Sequence, residues 1–600
     1  MAIAFRRPLL TAVAVPAAVV AFYVWTAAST GSPFQRAGAQ TGYYNLLTDG
    51  FLAGHLYLKL APAPQLVALP DPFDLAANAP YRVNDLSLYR GRFYMYFGPV
   101  PVLTLFLPWR TITGTALPQD CAALIYIVAG YIFSLLLLSR LLRGGGVRPR
   151  ALLWAAATAV LGMGQYGVVV LRDPGVYGVA IAAGFCFLMA GMYGFACLLA
   201  ADSPGRALAV LSGLSIGLAP GCRPHYALAA LILCAVYFYC RPRDAFWFCL
   251  PIAICAGLLF WYNYARFGNL FEFGTHYQLT GRAVTQGVFL RLRNLAPGLY
   301  YLLLCPFRLW DQFPFLIPKF VGPNPRMFVE NATGLLVISP LAVAGLTLPL
   351  WRRRAPILMA LYAGALAVLI FIALTGLAVG RYLLDFSPAF LVLSMFAWLA
   401  WAAPSQIRWR RAATAAIVLG SLWSIAVGAA LSLGLNDILQ DRNPRLFRTL
   451  ARWSGQRAES IRLPVESLTM TARIRFPSEP AAPREALLVT GRPGAEDCLF
   501  VEYIAGHRLR FGYQKAVVGV TTGPPIVIAP DREYLLRIGY SGADDRLIIS
   551  LDGAPAWNTP AAFYPTSQKE VALGRSAPGM PDIHPFSGVA ADPRTTLSYP

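Results

Sequence analysis

A stretch between two apolar runs, residues 41–110, gathers the side chains best suited to chemistry: Asp49, His55, Asp71, Asp74 and Asp85, then Arg82, Arg90 and Arg92 among Tyr81, Tyr89, Tyr94 and Tyr96. A carboxylate within hydrogen-bond reach of a hydroxyl can take its proton. Guanidinium groups grip phosphate or carboxylate in two places at once. Asp49 and Asp85 are therefore the candidate bases. Asp71 and Asp74, in LPDPFD, have the spacing of Asx-type turns. His55 is a candidate for orienting an anion, and Arg82, Arg90, Arg92 and Tyr94 form a basic-aromatic patch able to hold an anion or a sugar. Further along, Arg223 in GCRPHY and Arg381 with Tyr382 in GRYLLDFSP place cations where polar loops meet apolar runs. An arginine at membrane depth needs a partner; Asp385 is the expected one for Arg381. Glu272 and His276 are four apart, but no third ligand accompanies them, so no metal site is expected and a divalent ion is neither required nor excluded. Arg172–Asp173 reads as a solvated turn.

These residues need elements to hold them, and the composition says which. Of 600 residues, 57% are hydrophobic. Apolar runs of about 20 residues, the length that crosses a bilayer, recur as far as residue 435. The chain therefore reads as a polytopic α-helical membrane protein followed by an all-β sandwich. The formal charge of +21 would suit nucleic acid, but the basic residues sit at the ends of apolar runs, as the positive-inside rule describes, and no nucleic-acid partner is expected. Arg6, Arg7, Arg140, Arg143, Arg148, Arg150, Arg206, Arg241, Arg243, Arg352–Arg354, Arg408, Arg410 and Arg411 act as topological pins. With these on the cytoplasmic side, about eleven spans close the alternation, near 9–29, 119–140, 151–171, 175–200, 206–220, 224–240, 245–264, 332–350, 355–379, 386–403 and 411–433. Loops 31–118 and 265–330 and everything after 436 then share the opposite side. The segment 97–110, interrupted by Pro99, Pro101 and Pro108, reads as a helix lying in the interface.

Residues 436–463 form an amphipathic linker. From 464 the apolar period becomes two, in LTMTARIRF, LFVEYIAGHRLRFGY, EYLLRIGY and RLIISLDG, with turn residues between. That pattern gives antiparallel strands of a sandwich, followed by an irregular tail. Nine of the ten cysteines lie in or beside apolar runs and only Cys498 is in the tail, so no disulfide framework is expected.

The loop sequence NDLSLYRGRFYMYFGPVPVLTLFLP, with GCRPHY, NYARFGNLFEFGTHYQL and GRYLLDFSP, resembles the C-type integral-membrane glycosyltransferases (the GT-C superfamily), especially bacterial relatives of dolichyl-phosphate-mannose-type mannosyltransferases. Residues 464–600, with the hairpin ending in LDG, resemble concanavalin-A/laminin-G-like sandwiches. The first resemblance implies a polyprenyl-phosphate-linked sugar donor, a glycan, lipid or protein acceptor, and inverting transfer at the periplasmic face of a bacterial inner membrane. It also implies a first-loop carboxylate as base and arginines on the leaving phosphate. The family's Asp-Glu pair has no counterpart in AQTGYYN; Asp49 and Asp85 are the nearest acids. A membrane transporter or flippase of a lipid-linked glycan is the competing reading. Transporters carry repeated halves and intramembrane charges, whereas this chain shows no internal repeat and keeps its acids in loops.

Overall fold

The computed structural model describes residues 2–30, 42–280, 290–310, 312–319, 322–323, 327–350, 355–403, 407–492, 495–515, 519–575, 577 and 580–599. The pins Arg352–Arg354, part of the stretch AQTGYYN, and residues 281–289 of the second long loop lie outside the described residues. The chain forms two compact units, residues 1–309 with 316–436, and residues 310–315 with 437–600.

The first unit is a multi-pass helical membrane domain. Among the described residues, five helices are long and apolar enough to cross a bilayer: Gln119–Gly144, Gly175–Leu199, Ala245–Phe267, Pro356–Leu374 and Arg410–Leu433. At 1.5 Å per residue, 19 to 26 residues give helices roughly 28 to 39 Å long, enough to cross a hydrocarbon core of about 30 Å. Shorter apolar helices are Val13–Ala28, Ala151–Met163, Arg206–Gly221, Tyr226–Cys240 and Ser387–Trp401. Two of the expected spans are broken. The run 151–171 splits into Ala151–Met163 and Gly167–Arg172, because Tyr166 adopts φ 64° and its hydroxyl is drawn to the Asn331 carbonyl at 2.7 Å. The run 332–350 is a series of short turns, Leu335–Ile338, Pro340–Ala342, Val343–Leu346 and Leu348–Leu350. Pro340 has no N–H to continue a helix and pushes Ser339 out of the helical region, to φ −136° and ψ 88°.

Arg172 also departs from expectation. It is fully buried rather than solvated, donating to the Ser432 carbonyl (3.0 Å) and the Ser29 hydroxyl (2.6 Å), with Trp25 beside it. It ends a six-residue helix packed between the first and last long helices of the unit, so its side chain has no path to water.

A small sheet has the order β2–β1–β3, from β1 (Leu86–Tyr89), β2 (Arg92–Tyr94) and β3 (Gln278–Leu279). Arg90 and Gly91 both have positive φ, 49° and 71°, so the β1–β2 hairpin closes in the mirror-image turn that matches strand twist. The segment expected to lie in the interface is helical from Val102 to Thr113, its first turn a π-helix. Two further small pairings complete the unit: β4 (Arg308–Leu309) with β5 (Leu316–Ile317), and β6 (Gly322–Pro323), β7 (Phe328–Glu330) and β8 (Leu377–Val379) in that order.

The second unit is the sandwich. One sheet runs β13 (Gly519–Thr522), β12 (Arg508–Lys515), β11 (Ala495–Ile504), β10 (Arg484–Arg492), β18 (Ala572–Leu573), with β14 (Ile526–Val527) on β12 and β19 (His584–Pro585) on β10. The other runs β17 (Ala554–Pro560), β16 (Arg546–Leu551), β15 (Glu533–Ser541), β9 (Ser467–Arg475), β20 (Val589–Ser598). Alternation puts Leu468, Met470, Leu536, Ile538, Leu547 and Ile549 inside with Leu509 and Val501 of the facing sheet. Asp552 and Gly553, at φ 49° and 82°, make the β16–β17 turn. The tail is not irregular: β20 closes the second sheet as an edge strand beside β9, although its exposed sequence VAADPRTTLS carries no alternation to reveal it.

Candidate functional site

The first loop is held against the helices by specific contacts. The Tyr43 hydroxyl donates to the Asn84 carbonyl (2.7 Å), and Tyr44 to the carbonyl of Val176 (3.3 Å). Asn45 exchanges two hydrogen bonds with the backbone of Leu117 (2.8 and 3.1 Å). These contacts fix the position of Asp85, one residue before β1.

Asp85 adopts φ 64°, a conformation Asp and Asn tolerate better than most residues. Its N–H donates to the Leu279 carbonyl at 2.7 Å. Gln278 donates its side-chain N–H to Oδ1 at 2.9 Å, and the Tyr177 hydroxyl donates to Oδ2. Tyr96 in turn hydrogen-bonds Tyr177. Two donors from separate elements thus orient the half-buried carboxyl, while each oxygen keeps a lone pair for a further donor.

Tyr177 and Tyr382 link this carboxyl to two cations. The Arg381 guanidinium is 4.4 Å from the centre of the Tyr177 ring and 5.9 Å from that of Tyr382, and pairs with Glu330 at 3.1 Å. Arg223 sits 4.5 Å from the centre of the Tyr382 ring and pairs with Asp385 at 3.1 Å. Asp385 also accepts from the Tyr226 hydroxyl (2.7 Å), with His225 Nε2 at 3.5 Å. Burial opposes the charge on Asp385, but Arg223 and then His225 outweigh it and hold its carboxyl below the ordinary value. Burial likewise opposes charge on Arg223, yet Asp385 and the neighbouring tyrosines raise it further. Tyr226 reaches its place because Gly184 leaves room: a Cβ there would lie 2.3 Å from the Tyr226 ring.

The sequence candidates divide clearly. Asp85, Arg223, Arg381 and Tyr382 come together. Asp49 does not join them: it lies on the helix Tyr43–Leu52, partly exposed, in an ion pair with Arg110 at 3.2 Å. Arg82 is committed to its own loop, donating to Asn84, Asn78 and the Leu75 carbonyl at 3.1–3.2 Å. Arg90 and Arg92 stand at the hairpin tip over Tyr89 and Tyr57, and Tyr94 is buried among Tyr57, Tyr89 and Phe267. His55 stacks on Tyr57 with ring centres 4.6 Å apart. It lines an apolar cavity of about 430 Å³ that also touches Val100, Leu103, Gly221 and Leu258. Gly221, on its lining, lies two residues before Arg223 in the chain.

Solved structures similar to the chain include ArnT from Cupriavidus metallidurans bound to undecaprenyl phosphate, 11% identical, covering 71% of this chain and 76% of that one with a TM-score of 0.37. The Archaeoglobus fulgidus oligosaccharyltransferase tethered with an acceptor peptide containing the NVT sequon is 16% identical over 70% of this chain and 55% of its own, TM-score 0.38. A heptameric SAP-like pentraxin from Limulus polyphemus is 17% identical over 22% of this chain and 65% of its own, TM-score 0.17. The chain thus spans under two thirds of the pentraxin and little over half of the oligosaccharyltransferase. No family model matches the sequence, and no curated protein matches it.

Tyr177, Gln278, Glu330, Tyr226 and His225 were not among the sequence candidates, and Asp385 was expected to pair with Arg381. The structure pairs Arg381 with Glu330 and Asp385 with Arg223 instead. The reason is the run Gly380–Asp385, a 3-10 stretch with Arg381 half-buried and Asp385 buried. Glu330 on β7 reaches Arg381 through the parallel β7–β8 pairing, which sets Glu330 opposite Val379. The only sequence hint was that GCRPHY and GRYLLDFSP each bring an arginine close to an aromatic. Glu272 and His276 do bond each other, but across a 3-10 turn rather than along a helix. Among the described residues no group of three or more His, Cys, Asp or Glu gathers to hold a metal.

Proposed function

We propose that the chain is a membrane glycosyltransferase that moves a sugar from a polyprenyl-phosphate carrier to a glycan, lipid or protein acceptor at the periplasmic face of a bacterial inner membrane, with Asp85 as the general base. The observation that carries this reading is the line Asp85–Tyr177–Arg381–Tyr382–Arg223, in which a carboxyl with free lone pairs is joined through two tyrosine rings to two guanidiniums. In the proposed step the acceptor hydroxyl gives its proton to Asp85 and its oxygen attacks the anomeric carbon from the side opposite the carrier. The bond from that carbon to the carrier phosphate breaks, and the phosphate leaves with the electron pair.

Arg381 and Arg223 would meet the charge that develops on the departing oxygen. Each guanidinium has five N–H donors, and each uses Nη1 on its carboxylate, so donors remain for phosphate. The apolar cavity beside Gly221 suits an isoprenoid chain, because its lining offers dispersion contacts and almost nothing that hydrogen-bonds. Asp85 is preferred over Asp49 because Asp49 already faces Arg110 and stands apart from the two cations.

The test is direct. Purified protein in nanodiscs is given a panel of polyprenyl-phosphate hexoses and pentoses, and released polyprenyl phosphate is counted. Turnover of at least one donor, with its KM raised in Arg381→Ala, is expected. No turnover with any donor, alongside protein-dependent movement of the intact carrier lipid across the bilayer, would replace this reading with a flippase.

A further inference from the structure

Between the last long apolar helix and the first sandwich strand the chain forms two short helices, Ile438–Arg442 and Pro444–Trp453. The second starts sharply. Asn443 accepts the Leu446 N–H on its side chain (3.1 Å), and Pro444, with no N–H to leave unpaired, takes the first helical position. Gly455, at φ 86°, lets the chain leave the helix. With 3.6 residues per turn, its positions sort into three strips. Phe447 and Ala451 are buried in the second unit, the Phe447 ring 5.2 Å from that of Phe313. Arg445, Arg448 and Arg452 make a basic strip, and Leu446, Leu450 and Trp453 an apolar one.

The two outer strips are largely uncovered. Trp453 is 80% exposed, Arg445 and Arg452 are exposed, and Leu446 and Leu450 are half-exposed. Arg448 lies over the Tyr599 ring at 5.8 Å. From Asn443 to Arg457 the chain carries four arginines and no acid. The nearest acids in sequence are Asp437 and Asp441 before the helix and Glu459 after it, and Glu459 is paired with Lys569 at 2.9 Å. With Arg442 counted, five arginines against these three acids leave the run 437–459 two charges positive. Arg445, Arg452 and Arg457 enter no ion pair among the described residues.

The chain also limits where this surface can be. The last long apolar helix ends at Leu433, and ten residues separate it from Pro444, five of them in the helix Ile438–Arg442. At about 3.4 Å per extended residue and 1.5 Å per helical one, they reach no farther than roughly 30 Å. Asn436 and Asp437, at φ 49° and 58°, turn the chain and shorten that reach. Indole favours the bilayer interface because its ring is apolar and its N–H polar, and an arginine stem can lie along apolar surface while its guanidinium stays with phosphate. We propose that the helix Pro444–Trp453 lies on an anionic bilayer surface, with Leu446, Leu450 and Trp453 among the upper acyl carbons and Arg445 and Arg452 on lipid phosphates. The sandwich is then held to the membrane at a second point besides its covalent link.

The test puts the photoreactive residue p-benzoylphenylalanine in place of Trp453 in the full chain, and in a second protein in place of Val527, a sandwich residue 76% exposed. Each is irradiated in nanodiscs of phosphatidylcholine with or without phosphatidylglycerol, and adducts are mapped by mass spectrometry. Position 453 should give phospholipid adducts, more with phosphatidylglycerol and fewer as salt rises, while position 527 gives none. Arg445→Gln with Arg452→Gln should lower the yield at 453 several-fold, each charge counting for about fivefold in the ratio of docked to free helix. Both side chains are exposed and outside ion pairs, so the melting temperature should not change. Adducts from 453 to this chain or to a second copy, no adduct, equal lipid labelling at 453 and 527, or a yield indifferent to phosphatidylglycerol would each overturn the proposal. The readout is contact with lipid, so it can fail while sugar transfer stands, and the reverse.

Discussion

Replacing Asp85 with Asn should stop transfer while leaving the fold in place. Position 85 requires φ 64°. Asn accepts that conformation, whereas Ala there adds roughly 1–2 kcal/mol of strain. Asn Oδ1 can still accept from Gln278 and its NH₂ can donate to the Tyr177 hydroxyl, so a charge-assisted hydrogen bond is exchanged for a neutral one. That costs about 1 kcal/mol of stability, and Asp85→Asn should melt only slightly earlier than wild type. Activity should fall far more. A positioned general base contributes roughly 10²–10⁴-fold, or about 3–5 kcal/mol of barrier. The assay is single-turnover release of polyprenyl phosphate at saturating donor and acceptor, with donor Kd measured separately. The loss should appear in the rate and not in donor affinity, since in the proposed step Asp85 acts on the acceptor hydroxyl. Asp85→Gly, which suits the positive φ and leaves space, should regain rate with added formate. Asp49→Asn serves as the comparison: its pair with Arg110 is about 30% exposed on both sides, where such pairs contribute about 0–1 kcal/mol, so transfer should persist. If Asp85→Asn keeps more than about a tenth of wild-type turnover, a general-base contribution of this size is refuted.

Two further expectations concern other parts of the molecule. Asp385→Asn strands the buried guanidinium of Arg223 and should cost about 3–5 kcal/mol, seen as a large drop in melting temperature. Arg223→Met combined with Asp385→Leu should cost less than that single change, and a double as costly as the sum of its parts would show that the two are not coupled. In the sandwich, burial pushes Asp497 up to about 6 despite donors from Tyr513 and the Tyr564 N–H. A carboxyl raised on folding favours the folded state below its unfolded value near 3.8, and that contribution is lost as pH rises through about 6. Two pH units correspond to about 2–3 kcal/mol, so the melting temperature of the sandwich should fall between pH 4 and 6.5 in wild type and fall less in Asp497→Asn. Equal slopes in the two proteins would contradict the assignment.

The sequence by itself determined the division into apolar helices and alternating strands, because both follow from local periodicity: long apolar runs have no stable alternative to helix in lipid, and period two sorts side chains onto the two faces of a sheet. It also marked Asp71 and Asp74 as turn residues, each of which caps backbone N–H groups two or three positions on. It singled out GCRPHY and GRYLLDFSP, whose arginines the fold brings to the same Tyr382 ring. Tertiary structure alone decided which charges pair. Glu330 and Arg381 are 51 residues apart, Asp385 and Tyr226 159 apart, Asp85 and Gln278 193 apart, and no local pattern encodes contacts closed by the packing of separate helices. For the same reason the sequence left Asp49 and Asp85 equivalent, whereas the fold gives one a partly exposed arginine and the other two oriented donors, one of which, Tyr177, lies under Arg381. The strand β20 was equally invisible, since an edge strand exposed along its length needs only a partner's backbone, not an apolar pattern of its own.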